Sequence, residues 1–314
     1  MNETVLQNWQ PHWASLFGRH TIHGHHTLHT GPYFSDAALA DLIETAPKSH
    51  YHLHTMKPDG HDLSTWREGE IGDASGERVL QAIYAGQLWF QLRRVHEFHP
   101  RYGRLLADIF AEFEARVPGL KTFKRDLSIL ISSPGSHVFY HSDVPGQMLW
   151  QVRGHKTVYI YPPRDPFLPS EAIENIVLNQ VEEDGVDYHP WFDEYAEVYE
   201  LQPGRFLHWD LNGPHRIVNG DCVNVSVTTE HFTPEIRRIY AMNYGNGLLR
   251  RYAGFKSLSA QTSGPVFWAK ALLAAVHKFS GVQHKVANER RIEFKIDPNA
   301  PQGFIPITPR IQTI

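Results

Sequence analysis

The chain has 314 residues, 41% hydrophobic and 20% charged, with a formal net charge of −4, ordinary globular values that exclude a fibrous or disordered chain and allow a sizeable core. A single cysteine, Cys222, excludes an intramolecular disulfide framework. No apolar run approaches the ~18 residues of a membrane span, and the start MNETVLQNWQ lacks the basic and apolar stretches of a signal peptide, so a cytoplasmic location is expected.

Residues 1–34 are rich in histidine: His12, His20, His23, His25, His26 and His29. Such tracts can bind metal, but solvated loops are the commoner outcome. Ser35 is placed to cap a helix reaching about Thr45, whose Ala38, Leu39, Leu42 and Ile43 form an apolar face. His50, His52 and His54 alternate along a strand, where a solvated polar face outweighs a pocket lining. Thr65–Gly76 is turn-rich, and a helix from Glu77 to Ala85 stops at Gly86. In the strand Leu88–Val95, Trp89, Gln91 and Arg93 share one face and Phe90, Leu92 and Arg94 the other, so one arginine can reach a pocket. Pro100 opens a packing helix with Leu105, Ile109 and Phe113 on one stripe. Residues 1–126 are therefore expected to flank a core of residues 127–233.

The core opens with LSILISS and HVFYHSD, two strands separated by Pro134-Gly135. His141 and Asp143 stand two apart, so an extended strand aims an imidazole and a carboxylate to the same side. A later histidine on a neighbouring strand completes a 2-His-1-carboxylate triad, which leaves positions open on Fe(II) for substrate and dioxygen; His215 in GPHRIVN is the candidate. With 21 histidines in the chain, a His-x-Asp pair is expected by chance, and His208-Trp209-Asp210 is a second one. Context separates them. After Asp143 come an apolar strand, Gly154-x-Lys156 and a second apolar strand ending in Pro162-Pro163, which together read as a hairpin around Gly154-His155. Residues 164–196 then interrupt the core, with a short helix capped by Ser170 and running through Val177 and the aromatics Tyr188, Trp191 and Tyr195; they are expected to form a lid. Glu197–Leu201 and Arg205–Trp209 frame the turn at Pro203-Gly204. In the strand that follows, Val223, Val225 and Val227 alternate with Asn224, Ser226 and Thr228. If the valines pack outward, Asn224 and Ser226 point at the cofactor, and the opposite assignment stays open.

The order His141-x-Asp143, Gly154-x-Lys156, Pro203-Gly204, His215 resembles the cupin-like branch of the JmjC-type Fe(II)/2-oxoglutarate oxygenases, over about Leu127 to Phe232. The resemblance implies a mainly β fold with flanking helices: a double-stranded β-helix (cupin, jelly-roll) core, N-terminal α/β elements and C-terminal helices. It also implies Fe(II) on His141, Asp143 and His215, and Lys156, fifteen residues after His141, on the distal carboxylate of 2-oxoglutarate. Tyr140 and Gln147 are further candidates for the polar lining. The hydroxyl that some relatives carry three residues before the first metal histidine is Val138 here, so no second co-substrate contact is assigned. The implied activity is hydroxylation of a protein side chain or small molecule, with 2-oxoglutarate decarboxylated to succinate. A non-oxygenase cupin, or a metal-binding regulatory protein, would keep the triad but would not need Lys156 in the barrel.

From Glu235 onward 12 Lys and Arg face 4 Asp and Glu, about +8. This basic region, residues 234–314, is expected to be helical, with Phe267, Leu272, Ala275 and Phe279 striping one helix. In the family such helices make a dimer interface, and a homodimer is expected. An anionic membrane surface is the rival for a basic amphipathic helix. Nucleic-acid binding is disfavoured, since no known module's basic and aromatic pattern is present.

Overall fold

The computed structural model describes residues 4–55, 66–181, 185–280 and 289–313, so Thr65 of the expected turn-rich segment lies outside it. The N-terminal part supplies strands β1 (Leu6–Gln7), β2 (Ile22–His26), β3 (Tyr51–Thr55), β4 (Glu68–Glu70) and β5 (Leu88–Leu92). Between and after them run helices α1 (Trp13–Leu16), α2 (Asp36–Thr45), α3 (Gly76–Ala85), α4 (Val95–Phe98) and α5 (Pro100–Arg116). Local chemistry sets their ends. Ser35 Oγ accepts from Ala38 N at 3.3 Å and Ser75 Oγ from Arg78 N at 3.4 Å, each satisfying an amide the first helical turn leaves free.

The core contributes β6 (Phe123–Ser132), β7 (His137–His141), β8 (Gly146–Arg153), β9 (Lys156–Ile160), β10 (Glu197–Leu201), β11 (Arg205–His208), β12 (His215–Asn219) and β13 (Asn224–Phe232). Four of these form the antiparallel run β11-β8-β13-β6, and the other four form the facing sheet β10-β9-β12-β7. Two four-stranded sheets, with every consecutive pair of strands except β9 and β10 crossing between them, make a double-stranded β-helix, the fold expected from the sequence. The expected β8–β9 hairpin is not formed: β8 pairs with β13 and β11, whereas β9 pairs with β10 and β12. Gly154, at a φ of 73° that suits glycine, turns the chain from one sheet to the other, and the hydrogen bonds of both strands go to partners far along the chain.

N-terminal strands prolong the first sheet at both edges, β2 against β11 and β5 against β6, and with two C-terminal strands beyond β4 the sheet has eleven strands in all. Its outer face carries Ile129, Ile131, Met148, Trp150, Phe206, Val225 and Val227, buried against Tyr102, Leu105, Ile109, Phe110 and Phe113 of α5. The inner face and the second sheet enclose Leu130, Leu149, Val158, Ile160, Leu207, Trp209 and Ile217. Full burial of such a side chain contributes about 1.5–3 kcal/mol, which fixes which face of each strand turns inward.

The insertion between β9 and β10 contains the expected helix, α6 (Ser170–Val177), but Ser170 opens it instead of capping it: Pro169 stands at the N-cap and no side chain caps the first turn. The insertion does not arch over the barrel as a lid. Phe167, Ile173, Ile176 and Phe192 close around Tyr140 and Tyr161, and Asp193 pairs with Arg216 of β12, so its aromatics make a fixed layer beside the second sheet. The C-terminal region begins with α7 (Pro234–Ala253) and α8 (Gly264–Phe279) but is not helical throughout. Strands β14 (Glu289–Ile296) and β15 (Phe304–Thr313) form a hairpin, and β14 runs parallel to β4 at the edge of the large sheet. The alternation in RRIEFKI, followed by a Pro- and Gly-bearing turn, is the strand signal.

Candidate metal centre

His141 ends β7 and His215 begins β12, and the two are direct partners across the antiparallel pair, with ring centroids 4.0 Å apart. A register shift between His215 and Ile217 inserts an extra residue on the β7 side, so Val138 and His141 both turn inward although three residues apart. Asp143 lies beyond the end of β7, so strand alternation alone does not aim it. Ser142 Oγ donates to Asn212 O at 2.8 Å and Asn212 Nδ2 donates to Asp143 O at 2.7 Å, tying this link to the turn before β12. That brings Asp143 Oδ2 to 3.5 Å from His215 Nε2. One ligand atom from each of the three residues lies within 4.8 Å of the others.

The donor chemistry suits a cation. His141 Nδ1 is 2.8 Å from Phe139 O and His215 Nδ1 is 3.1 Å from Gly213 O; a carbonyl only accepts, so both Nδ1 atoms carry the hydrogen. Each Nε2 therefore presents a lone pair, the arrangement in which the second nitrogen of a ligating imidazole is held by the protein. His215 is 3% exposed, with the Trp209 ring 4.6 Å away, and burial together with neighbouring His141 lowers its pKa to about 4, which keeps it neutral.

Lys156 starts β9 on the inward-facing positions shared with Val158 and Ile160, opposite Asn219, four residues beyond His215 along β12. Four residues of strand span about 13 Å, a gap a lysine stem and a short dicarboxylate can bridge together. Lys156 is 3% exposed, and no hydrogen bond or ion pair holds its Nζ among the described residues. Burial lowers its pKa to about 7. A buried amine in this condition is stabilised by an anion. Around it Ser226 Oγ donates to Gln151 Oε1 at 2.7 Å, Gln151 Nε2 donates to Asn224 Oδ1 at 2.7 Å, and Asn219 Nδ2 donates to Ser132 Oγ at 3.0 Å. With Val225 and Val227 packed outward, Asn224 and Ser226 turn into the barrel, where Gln151 holds both.

Gln147 lies at the metal end, donating through Nε2 to Glu230 Oε1 at 3.1 Å. Glu230 has no counterpart in the sequence reading; only its place in the Ser226, Thr228, Glu230 alternation signals an inward side chain. Burial and the charges of Asp143 and Asp126 push it up to about 8, so it holds a proton at neutral pH. Tyr140 is elsewhere: its hydroxyl donates to Phe167 O at 2.7 Å within the insertion's aromatic layer. His208 and Asp210 are not brought to the triad either. His208 faces the helical layer, stacked on Phe17 at 4.2 Å, and both its nitrogens are engaged, Nε2 accepting from Gly18 N at 2.7 Å and Nδ1 at 2.7 Å from Gln147 O.

His52 and His54 turn inward with Glu68, another group with metal-ligand spacing, but positive charge already occupies it: Arg290 pairs with Glu68, and Arg93 donates to His52 Nε2 at 2.7 Å. Arg93 is exposed and lies on the side of the sheet that His52 faces, while Arg94 pairs with Glu97. A cleft of about 490 Å³ opens here, lined by His54, Trp66, Arg67, Glu68, Arg291 and Glu293. The Trp66 ring lies 4.6 Å from that of Phe139, two residues before His141.

Fold and donor set together define a cupin-type double-stranded β-helix with a His-x-Asp…His arrangement at one end of the barrel. No family model and no curated protein matches the sequence. Among solved structures, the chain is similar to Escherichia coli YcfD, with 16% identity and a TM-score of 0.51 over 90% of this chain and 71% of that one. A second structure of YcfD, described as a ribosomal oxygenase in complex with cobalt and 2-oxoglutarate, gives 16% identity and a TM-score of 0.49 over 90% and 69%. At this identity the likeness establishes the fold, and the resemblance seen in the sequence is met at that level.

Proposed function

We propose that the protein is an Fe(II)- and 2-oxoglutarate-dependent oxygenase that hydroxylates a protein side chain or a small molecule. The observation that carries this reading is the pairing of two features in one barrel: two Nε2 atoms and a carboxylate converging at one end, and at the other a buried lysine that has no partner among the described residues. A cupin without a dicarboxylate co-substrate has no use for the second. In this reading His141, Asp143 and His215 hold iron, which supplies a site for dioxygen and the co-substrate. Lys156 takes the distal carboxylate, and the apolar layer of Leu130, Leu149, Val158 and Ile217 keeps water out between the two ends. Asn224 and Ser226 act through Gln151 as the polar wall, and Gln147 with Glu230 lines the metal end. The prime substrate enters by the cleft at Trp66 and His54.

YcfD, whose fold the chain shares, is described as a ribosomal oxygenase, which makes ribosomal proteins the first substrates to try. No helix among the described residues is long and apolar enough to cross a membrane, and a cytoplasmic enzyme is part of the proposal. So is a homodimer through α8, whose Trp268, Leu272, Val276 and Phe279 are exposed. Purified protein given Fe(II), ascorbate and 2-oxoglutarate should release succinate, and more of it with the right prime substrate. No succinate above the His141→Ala background, with any substrate, sinks the proposal.

A further inference from the structure

A carboxylate that leaves water needs donors on both of its oxygens. One ammonium, that of Lys156, does not supply them all, so a second donor is needed close by. Most polar side chains at the Lys156 end of the barrel have no hydrogen left to give. Ser226 Oγ spends its own on Gln151 Oε1 at 2.7 Å, and Gln151 Nε2 donates to Asn224 Oδ1 and to Arg153 O, each at 2.7 Å. Asn224 Nδ2 in turn donates to Cys222 O at 3.0 Å and reaches Cys222 Sγ at 4.0 Å. Ser136 Oγ donates to Ser133 O at 2.8 Å. These groups hold one another and shape a wall.

Ser132 is the exception. It ends β6 two residues after Leu130, on the same inward face, and is fully buried. Its Oγ accepts from Asn219 Nδ2 at 3.0 Å, a bond that crosses the barrel from one sheet to the other, and among the described residues its own hydrogen goes to nothing. Asn219 is the ladder partner of Lys156. It is buried too, and its Oδ1 has no hydrogen-bond partner. The backbone beneath it is pinned, with Asn219 N donating to Ser136 O at 2.9 Å and Gly135 N to Gly220 O at 2.8 Å. Lys156 brings three hydrogens and Ser132 one, and the single idle acceptor among these side chains is Asn219 Oδ1. Turning the amide over, so that Ser132 donates to Oδ1, moves the spare hydrogen to Asn219 Nδ2 and leaves the same excess of donors. An excess of donors in a buried place is satisfied by an anion.

We propose that the Ser132 hydroxyl is the second donor to the far carboxylate of the co-substrate, beside Lys156, and that Asn219 is a positioning residue, accepting from the ammonium through Oδ1 and aiming the hydroxyl through Nδ2. The inference rests on the function proposed above. It also gives the barrel a preference among ligands that chelate the metal: one without a carboxylate at the far end leaves two buried donors without an acceptor, a cost that a dicarboxylate of the right length avoids.

The test is calorimetric titration of the full chain loaded with Mn(II), using two probes: 2-oxoglutarate, and oxalate, which chelates the metal but is too short to reach the far end. Ser132→Ala should raise the 2-oxoglutarate Kd at least roughly tenfold, the worth of a hydrogen bond to a charged group, while the affinities for oxalate and for Mn(II) stay as in the wild type. Asn219→Asp keeps the shape of the side chain but sets a carboxylate against Lys156, so it should weaken 2-oxoglutarate roughly a hundredfold or more and again leave oxalate unchanged. An unaltered 2-oxoglutarate Kd in Ser132→Ala overturns the inference. So does an equal loss for both probes, which would show that the change disturbs the barrel as a whole. Should Ser132→Ala fail to fold, Asn219→Asp decides by the same contrast between the two probes. A wild type that binds oxalate but no 2-oxoglutarate overturns the proposed function itself, a result distinct from a wild type that binds it and a Ser132→Ala that binds it equally well.

Discussion

His141-Ser142-Asp143 and His208-Trp209-Asp210 are the same three-residue pattern with opposite fates. Both sit where a strand ends, and burial lowers both His208 and the triad's His215 to about 4, so a lowered pKa does not by itself mark a ligand. The face of the sheet does. His208 is on the outer face of β11, where a backbone amide and a backbone carbonyl use both its nitrogens. His141 and His215 turn inward, and each spends only Nδ1 on the backbone. A histidine becomes a ligand when one nitrogen is left over at a point where a carboxylate also converges.

The contrast is open to being broken. The largest expected effect is on metal: His141→Ala, Asp143→Ala and His215→Ala should each abolish tight Co(II) or Mn(II) binding by calorimetry, and His208→Ala should keep it. Loss of metal in His208→Ala with retention in His141→Ala would reverse the assignment of the two motifs. Next comes Lys156→Ala, which should weaken 2-oxoglutarate by roughly 3–5 kcal/mol, the cost of breaking a buried pair, while the metal still binds. Lys156→Arg should recover only part, because a planar guanidinium does not replace an ammonium. Burial holds free Lys156 at about 7; above that it loses its charge, so wild-type 2-oxoglutarate affinity should fall between pH 7 and 9, by up to about tenfold per pH unit. A flat affinity across that range would take Lys156 out of the site.

His208→Ala should act on stability instead, costing about 2–4 kcal/mol in denaturant unfolding through two lost hydrogen bonds and the Phe17 contact. The sign of its pH dependence follows from the lowered pKa. The unfolded chain takes up a proton below about 6.5 that folded His208 refuses until about 4. Its contribution is therefore whole above 6.5 and lost as pH falls to 4. His26 and His231, lowered to about 3 by burial, and His54, lowered to about 4, add to the same acid slope, at about 1.4 kcal/mol per pH unit for each. The smallest effect is expected at Asn212→Ala, which frees the Asp143 link and should weaken metal roughly tenfold; unchanged affinity would show that the link holds its shape without that side chain.

Much of this was legible in the chain. His141, Asp143 and His215 could be picked as candidates by residue type and spacing and Lys156 by the order of motifs shared with the family the sequence resembles, while α2 carries its own capping and periodic signals. Glu230, Gln151 and Asn219 were not legible as site residues, since a lone polar residue in a strand says nothing until its face is known.

What the sequence determined by itself was local: which segments extend, where glycine and proline turn them, and which side chains alternate. Only the tertiary structure decided which sheet each strand joins, because ladder hydrogen bonds are made with partners a hundred residues away and carry no sequence code of their own. For that reason the apparent β8–β9 hairpin is a crossover between sheets, RRIEFKI returns to pair with β4, and the second His-x-Asp faces a helix. The burial of large apolar side chains on one face of each strand chose among these registers, and His141, Asp143 and His215 met as a consequence.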